Sequence, residues 1–194
     1  MLKVGITGGV GCGKSTVARL LEQRGFCRID SDQIVRDRVL RDAGVVALIR
    51  GRYGSEIFDG SGAINRPELA RRVFADDGER QWLEELTHPR VFAAWREAFA
   101  AVPHGRWAVE VPLLFEKDLE NWFDFTVCVA LAPAEQLARL EQRGLSRVLA
   151  EQRISKQLSL AQKIERSDFV LWNEGSPEFL EAQVNRLAEA LIAA

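Results

Sequence analysis

The stretch Gly8-Gly9-Val10-Gly11-Cys12-Gly13-Lys14-Ser15 decides how the rest of the chain is read. It has the form G-x-x-x-x-G-K-S, the pattern of a phosphate-binding loop. The apolar run Lys3–Thr7 precedes it and an apolar-periodic segment beginning at Ser15 follows it. Strand, glycine loop, helix is the context the pattern requires. Glycines let the backbone bend until its N–H groups converge on an anion, and the helix that follows adds the positive end of its dipole. Lys14 is placed to reach the outer phosphates, and the Ser15 hydroxyl to ligate Mg²⁺.

Working outward, the apolar runs Phe26–Ile29, Trp107–Val111, Phe125–Leu131 and Phe169–Trp172 also read as strands. They are continuous rather than alternating, as in a parallel sheet covered on both faces. Helical patterns separate them, which predicts βαβ units and an α/β fold of three layers with a five-stranded parallel sheet. Residues 32–101 hold no good strand. They carry turn signals at Gly51 to Gly54 and at Asp59-Gly60-Ser61-Gly62, then a long helical piece from about Gly78 to Ala101. This is read as a helical insertion at the carboxyl edge of the sheet, where open α/β sheets bind ligands. A second excursion, 133–167, holds seven basic residues against three acids between Arg139 and Arg166. Scattered charges on a helix usually face solvent; the other reading is a lid closing over polyphosphate. Ser159 and Gln162 form a capping-box pattern, and Ser176-Pro177 opens the last helix.

Composition narrows the class. The chain has 194 residues, 47% of them hydrophobic, with a net charge of −2. That suits one α/β core with inserted subdomains, and there is no polybasic footprint of a nucleic-acid binder. The three cysteines, Cys12, Cys27 and Cys128, show no C-x-x-C spacing and read as free thiols, with Cys27 and Cys128 in the core. No window approaches the ~18 apolar residues of a membrane span, and no basic leader precedes an apolar stretch. A cytoplasmic monomer that binds neither membrane nor nucleic acid is expected.

Asp30-Ser31-Asp32 ends the second strand, at the same sheet edge as the loop if the two strands are parallel. A carboxylate there accepts a proton from a hydroxyl attacking a γ-phosphate, or holds Mg²⁺ through water. The competing role for Asp32 is a helix cap. Arg36, one turn on, either pairs with Asp32 or lines the acceptor pocket. Glu110 interrupts an apolar strand, where a buried charge needs a partner; a place near Mg²⁺ or a basic group is the functional reading, an exposed strand end the other. Arg139 and Arg143, four apart, suit phosphate clamping.

Together these residues resemble the dephospho-coenzyme A kinase family. The carriers are Ile6 to Thr16, Ile29-Asp30-Ser31-Asp32 with Ile34 and Arg36, His88-Pro89, Val111-Pro112-Leu113-Leu114-Phe115-Glu116, and Arg143-Gly144-Leu145-Ser146. Arg153-Ile154-Ser155-Lys156-Gln157, Ser167 to Val170 and Asn173-Glu174-Gly175 complete them. The resemblance implies a P-loop NTPase fold with a nucleotide core (1–31, 102–132, 168–194), a helical coenzyme A domain (32–101) and a lid (133–167). It implies ATP and Mg²⁺ as cofactors and phosphorylation of the ribose 3′-hydroxyl of dephospho-coenzyme A. Asp32 would be the general base, with Lys14 and Arg143 completing the catalytic set. ATP would meet Gly9, Gly11, Cys12, Gly13, Lys14, Ser15, Thr16, Arg139, Arg143 and Asn173. The acceptor would meet Asp30, Asp32, Arg36, His88, Pro112, Leu113 and Leu114. Cys12 stands where the family has a serine, and Trp172 where it often has an aspartate. A P-loop kinase for another small acceptor, such as a nucleoside monophosphate, is the alternative. A GTPase switch would carry an N-K-x-D segment, and Asn173 is followed instead by Glu174-Gly175.

Overall fold

The computed structural model describes residues 1–193, with every side chain except that of Phe74. In chain order the elements are β1 (Leu2–Gly8), α1 (Lys14–Glu22), β2 (Cys27–Asp30), α2 (Ser31–Asp37), α3 (Ala43–Tyr53), α4 (Arg66–Ala75) and α5 (Asp77–Ala101). There follow β3 (Arg106–Glu110), β4 (Phe125–Ala130), α6 (Pro133–Gln142), α7 (Arg147–Ser155), α8 (Leu160–Arg166), β5 (Phe169–Trp172) and α9 (Pro177–Ala193). Short 3₁₀ turns link some of them. No described helix is long and apolar enough to cross a membrane.

Among the described residues five strands form one sheet in the order β2-β3-β1-β4-β5, and every pairing is parallel. This is the expected α/β architecture. The strands are apolar because both faces are covered. On one face Val4, Ile6, Val127, Val129 and Leu171 meet Val17, Ala18 and Leu21 of α1 and Leu180, Val184 and Leu187 of α9 in one core. Leu21 and Val184 are fully buried; each such side chain is worth about 1.5–3 kcal/mol of apolar transfer. On the other face α8 packs against β1 and β4.

By its internal packing the chain divides into two compact units. One comprises Met1–Asp30 and Pro103–Ala194, and holds the sheet together with α6 to α9. The other, Ser31–Val102, is helical; within it Phe58 and Ile64 make an isolated antiparallel bridge. Trp95, Val91 and Phe99 of α5 are buried there. Glu79 binds α5 to α3, accepting from Arg52 Nε at 2.7 Å and from the Tyr53 hydroxyl at 2.6 Å. Pro89 lies inside α5, and Arg90 Nη1 donates to the Leu86 carbonyl one turn back at 2.7 Å.

Helix ends follow local chemistry. Ser159 and Gln162 form the expected capping box on α8, and the Ser176 hydroxyl accepts from Phe179 N at 3.3 Å to start α9. Cys12 and Cys128 are buried, whereas Cys27 is only half-buried. Cys27 faces outward to that extent because it opens a sheet-edge strand, a correction to its expected place in the core.

Candidate active site

The loop after β1 has the conformation its glycines allow. Gly13, the residue before α1, sits at φ 101, and a Cβ there would stand 2.3 Å from Asn173 Nδ2. Gly8 has φ 138, and a Cβ would meet the Val129 carbonyl oxygen at 2.3 Å. Both positions exclude other residues on two grounds, left-handed backbone and close approach. The Gly13 carbonyl takes the first helical hydrogen bonds, from Thr16 N at 3.0 Å and Val17 N at 3.1 Å. The opening N–H groups of a helix have no acceptor within it, so they form an anion site. Lys14 Nζ donates to the carbonyls of Gly8 at 3.1 Å and Gly9 at 2.9 Å, which sets the ammonium across the loop.

Glu110 ends β3 in register with Ile6 of β1 and Asp30 of β2. It is 4% exposed, so the exposed strand-end reading fails. Its Oε2 accepts from the Ser15 hydroxyl at 2.6 Å. Its Oε1 accepts from Arg28 Nε at 2.9 Å, with Arg28 Nη2 at 2.8 Å. Arg28 Nη2 also lies 3.8 Å from Asp30 Oδ2. Arg28 and Asp30 are two apart on β2 and therefore share a face. The guanidinium pairs with both carboxylates and gives the buried Glu110 the partner its place in the strand requires. Sequence reading singled out Ser15, Asp30 and Glu110 and missed Arg28.

Asn173 stands just past β5, and its side chain donates to the Cys12 carbonyl at 2.8 Å. Arg139 of α6 donates to the Asn173 carbonyl at 2.9 Å. These two candidate nucleotide residues therefore meet beside the loop. Arg143 falls at the end of α6, next to Gly144 at φ 86. Burial raises the Cys12 thiol, so at this position the thiol is a neutral filler and the backbone makes the contacts. Trp172 is 44% exposed, and its backbone N–H donates to Gln183 Oε1 at 2.9 Å.

The segment after β3 is held from two sides. The Pro112 carbonyl accepts from Thr7 Oγ1 at 3.4 Å and Lys163 Nζ at 2.8 Å. Leu114 is fully buried, with Cδ1 close over Gly5, and serves the core; Leu113 is half-buried. Lys163 is fully buried too, paired with Glu116 Oε1 at 2.8 Å, so it is no part of a solvated helix face.

The remaining acceptor candidates belong to the helical unit. Asp32 stands in the first turn of α2, which begins at Ser31, so it is not the residue before the helix that the cap reading needs. Arg36 pairs with Asp37, Nε to Oδ1 at 3.1 Å. The His88 ring lies 5.9 Å from that of Phe92, one turn on in α5.

A parallel sheet, a phosphate loop closing onto the helix after β1, and a hydroxyl hydrogen-bonded to a buried carboxylate define a P-loop phosphotransferase. The comparisons place it more narrowly. The family model for dephospho-CoA kinase matches residues 2–178. The dephospho-CoA kinase of Thermosynechococcus vestitus is 44% identical over 96% of this chain and 93% of its own. A solved structure from Thermus thermophilus aligns at TM-score 0.83 and 36% identity, covering 97% of both chains. The dephospho-CoA kinase of Campylobacter jejuni shares the fold at TM-score 0.71 and 23% identity, over 97% of this chain and 96% of that one. The chain belongs to the dephospho-CoA kinase family. It is an ATP-using kinase whose acceptor is dephospho-CoA, the last step of coenzyme A biosynthesis.

Proposed function

We propose that the ATP γ-phosphoryl group is transferred in line to the ribose 3′-hydroxyl of dephospho-CoA, with Asp32 as the general base. The loop N–H groups from Gly11 to Thr16 and the Lys14 ammonium hold the β- and γ-phosphates. Arg139 and Asn173 define the nucleotide side, and Arg143 adds positive charge as the transition state spreads charge over the γ-oxygens. Asp30, Asp32, Arg36, His88, Pro112 and Leu113 belong to the acceptor side. The observation that carries the reading is the Ser15–Glu110–Arg28 cluster at the loop's last residue.

The same cluster fits Mg²⁺. Among the described residues no group of three or more His, Cys, Asp or Glu could hold a metal by itself. A hydroxyl and one carboxylate, completed by waters and phosphate oxygens, are what Mg²⁺ takes in such sites. Ser15 and Glu110 would hold it, and it would supply positive charge against the phosphate oxygens.

Asp32 is suited to its role because a carboxylate accepts the hydroxyl proton as the oxygen attacks. Loss of a positioned base costs about 10²–10⁴ in rate. The test is a coupled assay with ATP, Mg²⁺ and dephospho-CoA on wild type and Asp32→Asn. Turnover should fall by about that factor with the KM for ATP little changed. Turnover near wild type would remove Asp32 from the mechanism.

A further inference from the structure

The R-x-x-x-Q motif, Arg153 to Gln157, has no part in the scheme above. Gln157 follows α7 and is half-buried. Its Oε1 accepts the Val10 N–H at 3.0 Å. From α6, Gln136 Nε2 donates to the Val10 carbonyl at 2.6 Å. Both polar backbone groups of a residue at the loop's tip are therefore held by side chains from two helical segments. The neighbour of Gln157, Leu158, donates its N–H to Glu116 Oε1 at 2.9 Å. Lys163 then reaches Glu116 Oε1 and the Pro112 carbonyl, each at 2.8 Å. One short segment, 157–163, grips the phosphate loop at one end and the stretch after β3 at the other.

We propose that Gln157 is a positioning residue that fixes the loop tip for the nucleotide and couples nucleotide binding to acceptor binding through the 157–163 strap. A residue with both backbone groups held cannot rotate its peptide planes. The other loop N–H groups then meet phosphate without first being ordered, which lowers the cost of binding. A neutral amide suits the place, because it accepts an N–H without setting a negative charge beside the phosphates. Movement of the loop tip reaches Pro112 through Leu158, Glu116 and Lys163. The inference rests on the reading that the loop binds ATP and that Pro112 lies on the acceptor side.

The test is calorimetric titration of a non-hydrolysable ATP analogue into wild type, Gln157→Ala and Gln157→Glu, with and without saturating dephospho-CoA. Thermal midpoints and amide exchange at Val10 are followed in parallel. Loss of one hydrogen bond of this kind predicts analogue binding weaker by about 2–10-fold in Gln157→Ala, with the midpoint lowered by no more than about 2–4 °C and faster exchange at Val10. In wild type, dephospho-CoA should change analogue affinity about threefold or more, and in Gln157→Ala that ratio should fall to one, as expected of an allosteric coupling. Gln157→Glu keeps the acceptor, so the ratio and the slow exchange should survive while the added charge weakens the analogue. A wild-type ratio of one, or a ratio and affinity untouched in Gln157→Ala, overturns the proposal, as does a lowered midpoint with analogue binding intact. Failure of wild type to bind the analogue at all would overturn the loop reading beneath it.

Discussion

The Ser15 hydroxyl donates a 2.6 Å hydrogen bond to Glu110 Oε2 across 95 residues of sequence. It joins the end of the phosphate loop to the end of β3, and Arg28 holds the second carboxylate oxygen. Glu110→Gln keeps an oxygen for Arg28 and removes the negative charge. The half-saturating Mg²⁺ concentration should rise at least about 10–100-fold, the loss seen even for groups that only orient a metal's ligands. Activity measured against Mg²⁺ at fixed ATP checks it. An unchanged Mg²⁺ curve would place the cation elsewhere.

Lys163 is fully buried against Glu116 at 2.8 Å. Removing one partner of a buried pair leaves the other charge uncompensated, at about 3–5 kcal/mol. Lys163→Met should therefore lose stability on that scale. Adding Glu116→Leu should restore a large part of it, because the stranded carboxylate goes too. Urea unfolding midpoints of wild type, single and double variants supply the comparison.

In the helical unit, hydrogen bonds from Arg71 and Arg72 hold the Glu68 carboxyl at about 2, below its usual 4.5. Hydrogen bonds from Arg52 and Tyr53 hold Glu79 at about 2 from the same start. A depressed folded-state value means stability that is complete above the unfolded value and lost as pH falls toward the folded one. The thermal midpoint should thus be level above pH 4.5 and decline between 4.5 and about 2. Glu79→Gln should show a shallower acid decline than wild type. Circular dichroism melts across that range measure both.

The three thiols differ in reactivity. Burial pushes Cys128 up to about 12 and also raises Cys12, and the thiolate is the reactive form. Half-buried Cys27 should take up an aromatic disulfide reagent at pH 8 well before the others. Intact mass should show one adduct early, and the singly labelled enzyme should retain its phosphotransferase activity.

Much of the sheet was legible because its signals are local. The run Phe169–Trp172 is β5 to the residue, and the other apolar runs mark their strands to within a residue at either end. The loop, its lysine and Glu110 were legible for the same reason: a glycine pattern and a lone charge in an apolar strand need no knowledge of neighbours. Arg28 was not, because its partner lies 82 residues away; the one clue was its alternation with Asp30 on a short strand. Lys163 looked like one more basic residue on a charged helix. Its burial depends on Glu116, whose own signal was a single acid after the apolar Val111–Phe115. Gln136 and Gln157 gave less, since neutral amides carry no charge pattern and their contact is with backbone.

The sheet order puts β1 between β3 and β4. Leu2 pairs with Arg106, and Val4 with Phe125. Both neighbours of the first strand are thus made long after it during synthesis. The phosphate loop, complete in sequence by Ser15, has no sheet to hang from until more than half of the chain exists. Pairings of such separation are slow to close, and until then an apolar strand stands open to other chains. For this enzyme the hazardous interval is the translation of the helical unit, when the glycine loop has been made and the strands that flank β1 have not.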